Sequence, residues 1–122
     1  MQSDGLSVKG KYNGMNTVSI VVPSYNKRDN VRSLTEQIDK SLAGISHGII
    51  FVDDSADDTP AVLAELSVEY RHVRYEHRTN KKGLATAVIR GFQLAKGDYL
   101  AVMDANLQHP SAKSIVEIPY AF

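Results

Sequence analysis

Blocks of β-branched and aliphatic residues alternate along this chain with segments whose apolar positions recur at helical spacing. Thr17-Val18-Ser19-Ile20-Val21-Val22 is continuous and rich in β-branched residues, which predicts a strand buried on both faces, and Pro23 is expected to end it. Val31, Leu34, Ile38 and Leu42 then predict a helix, capped either by Asn26 with Asp29 three residues later or by Asn30 alone. Ile49-Ile50-Phe51-Val52 reads as a second buried strand. After the polar loop from Asp53 to Asp58, Thr59-Pro60 reads as an N-cap followed by proline at the first helical position, with Leu63, Leu66 and Tyr70 marking the helix. Val73 to His77 alternates weakly, as a third strand does. A basic loop from Arg78 to Gly83 precedes a third helix, from about Leu84 to Lys96, with a small-residue stripe at Ala87, Gly91 and Ala95. Gly97 is expected at the left-handed position past its end. Tyr99 to Met103 is a fourth strand, ended by Asp104.

The order βαβαβαβ with short connections predicts an α/β fold: a mostly parallel sheet with helices on both faces. Residues 1–16 read as a flexible leader and residues 17–122 as one partial domain, incomplete at the C-terminus, because Ser114 to Phe122 turns apolar and stops. Four strands alone leave an open sheet edge.

Composition narrows the chemistry. Fourteen basic residues balance fourteen acidic ones, so nothing marks the chain as a partner of nucleic acid, and a polyphosphate must be held by local features. Cysteine is absent, which excludes thiolate catalysis, disulfides and cysteine metal sites. No apolar run reaches the length of about 18 residues that a membrane span needs.

Ligands of open α/β sheets bind outside the carboxyl ends of the strands. The segments there are Pro23 to Lys27, Asp53 to Ser55, Arg78 to Gly83 and Asp104 to Gln108. Asp53 and Asp54 repel each other unless a partner offsets the charge. The imino N–H of a nucleobase is one such partner; the alternative is a turn shaped by Asp54 or Ser55, with Asp53 in solvent. Tyr25 is either a stacking surface for a base or a rim residue over the helix start. Asp104, Asn106 and Gln108 alternate, so in an extended stretch they face one side and offer three oxygen donors to Mg²⁺ or Mn²⁺. The alternative is a polar turn into His109-Pro110. Lys81 and Lys82 precede a helix N-terminus, where anions are favoured, although lysines in a loop are commonly just solvated. His47, His72, His77 and His109 show no metal-ligand spacing and read as surface or packing residues, His109 alone lying beside the proposed metal turn.

Ile20-Val21-Val22-Pro23-Ser24-Tyr25-Asn26 resembles the opening of inverting glycosyltransferases of the GT-A fold. Val52-Asp53-Asp54-Ser55 with Asp58-Thr59, Gly83-Leu84-Ala85-Thr86-Ala87, and Met103 to Pro110 resemble the later landmarks of that family, in the same order. The last two are similar to dolichol-phosphate mannose synthases and bacterial polyprenyl-phosphate sugar synthases. The resemblance implies a Rossmann-like nucleotide-sugar-binding fold with Asp54 on the base edge, Pro23 and Tyr25 around the base, and Asp104 with Asn106 and Gln108 on the metal and diphosphate. It implies hexose transfer from GDP-mannose or a UDP-hexose to a polyprenyl phosphate, at the cytoplasmic face of a membrane with which the protein associates peripherally. No catalytic base is identified, and phosphate acceptors do not require one. Asn106 stands where the family's metal motif has a second carboxylate, which lowers the expected metal affinity. Lys27 replaces a frequent glutamate, and Ser55 replaces a loop glycine and lacks its freedom at positive φ. The alternative is a truncated or degenerate module that binds nucleotide sugar without turnover.

Overall fold

The computed structural model describes residues 17–80, 83–103, 105 and, as a strand, 116–119. The elements are β1 (Val18–Ser24), α1 (Val31–Ser41), β2 (His47–Asp53), α2 (Thr59–Glu69), β3 (Val73–His77), α3 (Leu84–Leu94), β4 (Tyr99–Val102) and β5 (Val116–Pro119). They form one five-stranded sheet in the order β3-β2-β1-β4-β5. The β1, β2, β3 and β4 strands run parallel, and β5 pairs antiparallel with β4. Chain order therefore moves outward from β1 through β2 to β3, then returns to the other side of β1 at β4. This reversal is the topological switch point at which open α/β sheets form their ligand crevice.

The apolar strands bury both faces, as their unbroken β-branched runs predict. Val18, Ile20 and Val22 pack with Ile49, Phe51 and the α1 and α2 residues Leu34, Ile38, Leu63 and Leu66. Val21, Ile50, Val52 and Leu100 face the other way, against Ala87 and Ala95 of the α3 segment. The small-residue stripe lets α3 lie close to the sheet. A Cβ on Gly91 would stand 2.2 Å from Val21 Cγ1, so glycine is required there by approach rather than by φ.

The structure revises several sequence expectations. β1 does not stop before Pro23 but runs to Ser24, because its register with β2 continues to the Ser24–Asp53 pair. Its register with β4 ends at Val21–Val102, so the missing Pro23 N–H falls where that ladder is already finishing. Gly97 is not left-handed; the glycines at positive φ among the described residues are Gly44 and Gly83. Gly97 is needed instead because a Cβ there would lie 2.6 Å from the Thr17 carbonyl oxygen. The α2 cap position is Asp58 rather than Thr59, and the Thr59 N–H and hydroxyl both donate to the Asp57 carboxylate. Asn30 holds the α1 cap position without a side-chain bond. The fifth strand was not expected: its four residues, Val-Glu-Ile-Pro, carry too weak a pattern to announce a strand. Among the described residues, no helix is long and apolar enough to cross a membrane.

Candidate functional site

The carboxyl ends of β1, β2 and β3 are joined by side chains of the loops that follow them. Asp53 closes β2 and is fully buried. It is not the solvated residue that the turn reading supposed. Its carboxylate accepts from the Ser24 hydroxyl at 2.8 Å, from the Ser55 hydroxyl, from the Ser55 N–H at 3.3 Å, and pairs with His77 Nδ1 at 2.9 Å. A buried carboxylate needs such donors to offset its lost hydration. His77 is therefore part of the site scaffold and not a mere surface residue.

Asp54 does different work. It is 6% exposed, and its N–H donates to the Ser24 carbonyl at 2.9 Å. Arg78 donates through Nε to Oδ1 and through Nη2 to Oδ2, both at 2.7 Å. The Gly83 N–H adds a bond to Oδ2 at 3.2 Å. Both ends of the loop between β3 and α3 are thus tied to one residue at the end of β2. This bidentate bond to Asp54 raises the Arg78 pKa above its ordinary value. Gly83 reaches the required geometry at φ +125°, which a residue with a side chain rarely adopts.

The loop after β1 is anchored just as firmly. Asn26 has φ +51°, its N–H donates to Ser55 Oγ at 2.6 Å, and its Oδ1 accepts from the N–H groups of Ala56 and Asp57. Asn26 therefore braces the loop after β2 instead of capping α1. Ser55 is not at positive φ, so its replacement of a glycine brings no strain of that kind. Pro23 is buried in β1, while Tyr25, flanked by the anchored Ser24 and Asn26, is 55% exposed on the rim. Beside the end of β3 a shallow cleft of about 390 Å³ is lined by His77, Arg78, Thr79, Asn80, Glu76 and Arg90.

The structure thus gathers Pro23, Tyr25 and Asp54 at one end of the sheet. Asp104, Asn106, Gln108, His109, Lys81 and Lys82 lie outside the described residues. Met103, whose N–H donates to the Val21 carbonyl at 2.9 Å, delivers the chain to the same end, next to the switch point. Sequence reasoning missed the roles of Arg78 and His77. Arg78 had a usable signal: a cation directly after a strand, on the edge where two adjacent carboxylates also lie.

Known proteins share both the sequence and the fold. The dolichol-phosphate mannosyltransferase of Pyrococcus furiosus is 49% identical over 94 residues, which cover 76% of this chain and 26% of that protein. The enzyme of the same name from Saccharomyces cerevisiae is 40% identical over 99 residues, covering 75% of this chain and 36% of that protein. The chain thus spans about a quarter to a third of these relatives. A mannosyltransferase of Pyrobaculum calidifontis, solved with GDP-Man and Mn²⁺, superposes with a TM-score of 0.61 at 20% identity, over 73% of this chain and 27% of that one. Glucosyl-3-phosphoglycerate synthase of Mycobacterium tuberculosis, solved with Mn²⁺, UDP and glucosyl-3-phosphoglycerate, gives 0.67 at 20% identity, over 92% and 40%. These structures establish the Rossmann-like GT-A architecture. The family match itself spans residues 19–115, from the first strand through the segment after the fourth, and the chain belongs to glycosyl transferase family 2.

Proposed function

We propose that this chain forms the donor-binding part of a polyprenyl-phosphate glycosyltransferase, which moves a hexose from GDP-mannose or a UDP-hexose to a polyprenyl phosphate. The observation that carries this reading is the braced cluster of Ser24 to Asn26, Asp53 to Ser55 and Arg78 at the carboxyl ends of β1, β2 and β3, beside the sheet's switch point, in a chain 49% identical over 94 residues to a dolichol-phosphate mannosyltransferase. Tyr25 offers an exposed ring on which a base stacks, over the buried Pro23. Asp54 presents the carboxylate for the base edge. Arg78 fixes its orientation, leaving the second lone pair of Oδ1 for a base N–H.

Asp104, Asn106 and Gln108 would hold Mg²⁺ or Mn²⁺, a hard cation suited to three oxygen donors. When bound, such a cation offsets charge on the departing nucleoside diphosphate. In the transfer, an acceptor phosphate oxygen bonds to the anomeric carbon as the bond from that carbon to the diphosphate breaks. The acceptor is a lipid, so the reaction lies at a membrane surface, with the protein peripherally associated on the cytoplasmic face. A second reading, nucleotide-sugar binding without turnover, is favoured by Asn106, which gives the metal site one negative charge fewer.

Calorimetric titration with GDP, GDP-mannose, UDP and UDP-glucose, with and without Mn²⁺, tests the donor site. Metal-enhanced binding of one nucleotide, weakened in Asp54→Ala, is expected. A folded chain that binds none of them refutes the donor site. Binding without transfer to a polyprenyl phosphate, under saturating donor and metal, selects the second reading for this chain.

A further inference from the structure

At the opposite end of the sheet, three side chains that the sequence separates are brought together. Asp39 lies on α1, His47 opens β2 and His72 immediately precedes β3. One ligand atom from each falls within 4.8 Å of the others. Both His47 Nε2 and His72 Nε2 point at the same atom, Asp39 Oδ1, at 2.8 and 2.7 Å. The side chains are 29% exposed for Asp39, 11% for His47 and 31% for His72, so the group is enclosed yet reachable from solvent. It lies at the far end of β2 from Asp53, roughly 20 Å away at about 3.3 Å per residue, and is separate from the candidate donor site.

The hydrogen bonding of His47 singles this group out. Its Nδ1 lies 2.7 Å from the Ile45 carbonyl oxygen, and its Nε2 lies 2.8 Å from a carboxylate oxygen. A neutral imidazole has one N–H. Whichever nitrogen carries it, the other faces an oxygen lone pair; in the tautomer that donates Nδ1–H to Ile45, the Nε2 lone pair faces Asp39 Oδ1, the oxygen on which His72 Nε2 also converges. Such a convergence is relieved by a cation. The carbonyl brace on Nδ1 is also the arrangement that fixes a metal-binding histidine in the tautomer with Nε2 free. The His47 and His72 rings meet edge to face, with centroids 5.2 Å apart and planes at 84°, so their nitrogens converge without the rings stacking.

We propose that Asp39, His47 and His72 form a three-ligand site for a Zn²⁺-class transition-metal ion, completed by water. Two imidazole nitrogens and one carboxylate oxygen suit Zn²⁺ and its neighbours rather than Mg²⁺. At metal–ligand lengths of about 2.0–2.2 Å, tetrahedral ligand atoms stand about 3.3 Å apart. The two nitrogen–oxygen separations, 2.8 and 2.7 Å, need to open by about half an ångström, and the Asp39 and His72 side chains that would move are part-exposed. The ion would clamp the last turns of α1 to the starts of β2 and β3, a structural role distinct from any metal that serves transfer.

The test is titration of the metal-stripped 122-residue chain with Zn²⁺ by calorimetry and with Co²⁺ by visible absorption. We expect one Zn²⁺ per chain at this site, Co²⁺ bands of a low-symmetry four-coordinate site, and a melting temperature raised by roughly 3–8 °C in excess Zn²⁺. His47→Ala and His72→Ala should each weaken binding by more than the roughly 10–100-fold that loss of an outer-shell partner costs. His109→Ala should leave it intact. His72→Gln, which keeps a hydrogen-bonding side chain beside Asp39, guards against misfolding and should lose Co²⁺ absorption while retaining the native circular dichroism. The proposal is overturned by absence of Zn²⁺ uptake, or by uptake that survives His47→Ala and His72→Ala, including uptake that is lost only in His109→Ala.

Discussion

Arg78 holds both carboxylate oxygens of Asp54 at 2.7 Å in a pair whose side chains are each 8% exposed. The residues are 24 positions apart, and the bond joins the end of β2 to the first residue after β3. Such a pair adds little net stability over an apolar replacement, because both ions are desolvated, but it fixes geometry. Here it fixes the loop whose other end, Gly83, starts α3 and donates to the same carboxylate.

Removing one partner of the pair is therefore worse than removing both. Arg78→Ala leaves Asp54 buried and uncompensated, and should cost about 3–5 kcal/mol in chemical denaturation. Arg78→Lys keeps the charge but loses the fork, so its loss should be smaller but measurable. The double variant Asp54→Ala/Arg78→Ala should be more stable than Arg78→Ala alone. Additive losses, with the double variant less stable than either single variant, would mean that the two side chains do not depend on each other.

The packing of α3 onto β1 gives an independent prediction. Gly91→Ala places a methyl group 2.2 Å from Val21 Cγ1 and forces α3 away from the sheet, at about 1–3 kcal/mol. Because the obstacle is a side chain, Val21→Ala in the same chain should recover part of the loss, and a double-mutant cycle reads this coupling directly. Gly97→Ala meets the Thr17 carbonyl oxygen at 2.6 Å and has no comparable rescue, since its obstacle is backbone. Additive effects of the Val21 and Gly91 changes would contradict the contact.

The sequence made the four parallel strands and three helices legible because buried parallel strands write themselves as continuous β-branched runs, and because helix periodicity appears within one segment. The placement of Tyr25 and Asp54 was legible for a topological reason: residues just after parallel strands meet at one end of the sheet, whereas Pro23, expected to end β1, lies within it. The partnerships of those residues were not. Asp53 with His77, Asp54 with Arg78 and Asp39 with His47 and His72 depend on which strands are neighbours, and no local pattern encodes strand order. Gly97 shows another gap: a glycine after a helix fits a left-handed cap, but its actual reason, the Thr17 carbonyl, lies 80 positions away.

Asp57 gives a pH dependence. The Thr59 hydroxyl, and then the Thr59 N–H and the charge of Arg28, hold its carboxyl below the ordinary carboxylate value, against a smaller opposing effect of burial. A lowered folded-state value means that this contribution is complete above the ordinary carboxylate range and is lost as pH falls through the lowered value. Asp57→Asn keeps an oxygen acceptor for Thr59 but does not titrate there. Its stability should therefore fall less steeply than that of the parent on acidification in denaturation curves taken from neutral pH downward. An identical acid limb in both chains would remove Asp57 from the account.

The last prediction concerns the proposed metal turn. Asn106 stands where the family's motif carries a second carboxylate. An amide oxygen still coordinates, but it offsets no charge, and affinity for hard cations depends on how many charged ligands a site supplies. If position 106 is a ligand, Asn106→Asp should tighten Mn²⁺-dependent nucleotide binding by roughly tenfold, equivalent to about 1.4 kcal/mol. Binding without metal should weaken or stay level, because the new charge then faces the diphosphate with nothing between them. That opposite response with and without Mn²⁺ separates coordination from a general change in fold, which would move both measurements together. Unchanged Mn²⁺ dependence in the variant would show that residue 106 does not touch the ion, and Asp104 and Gln108 would then be left to hold it.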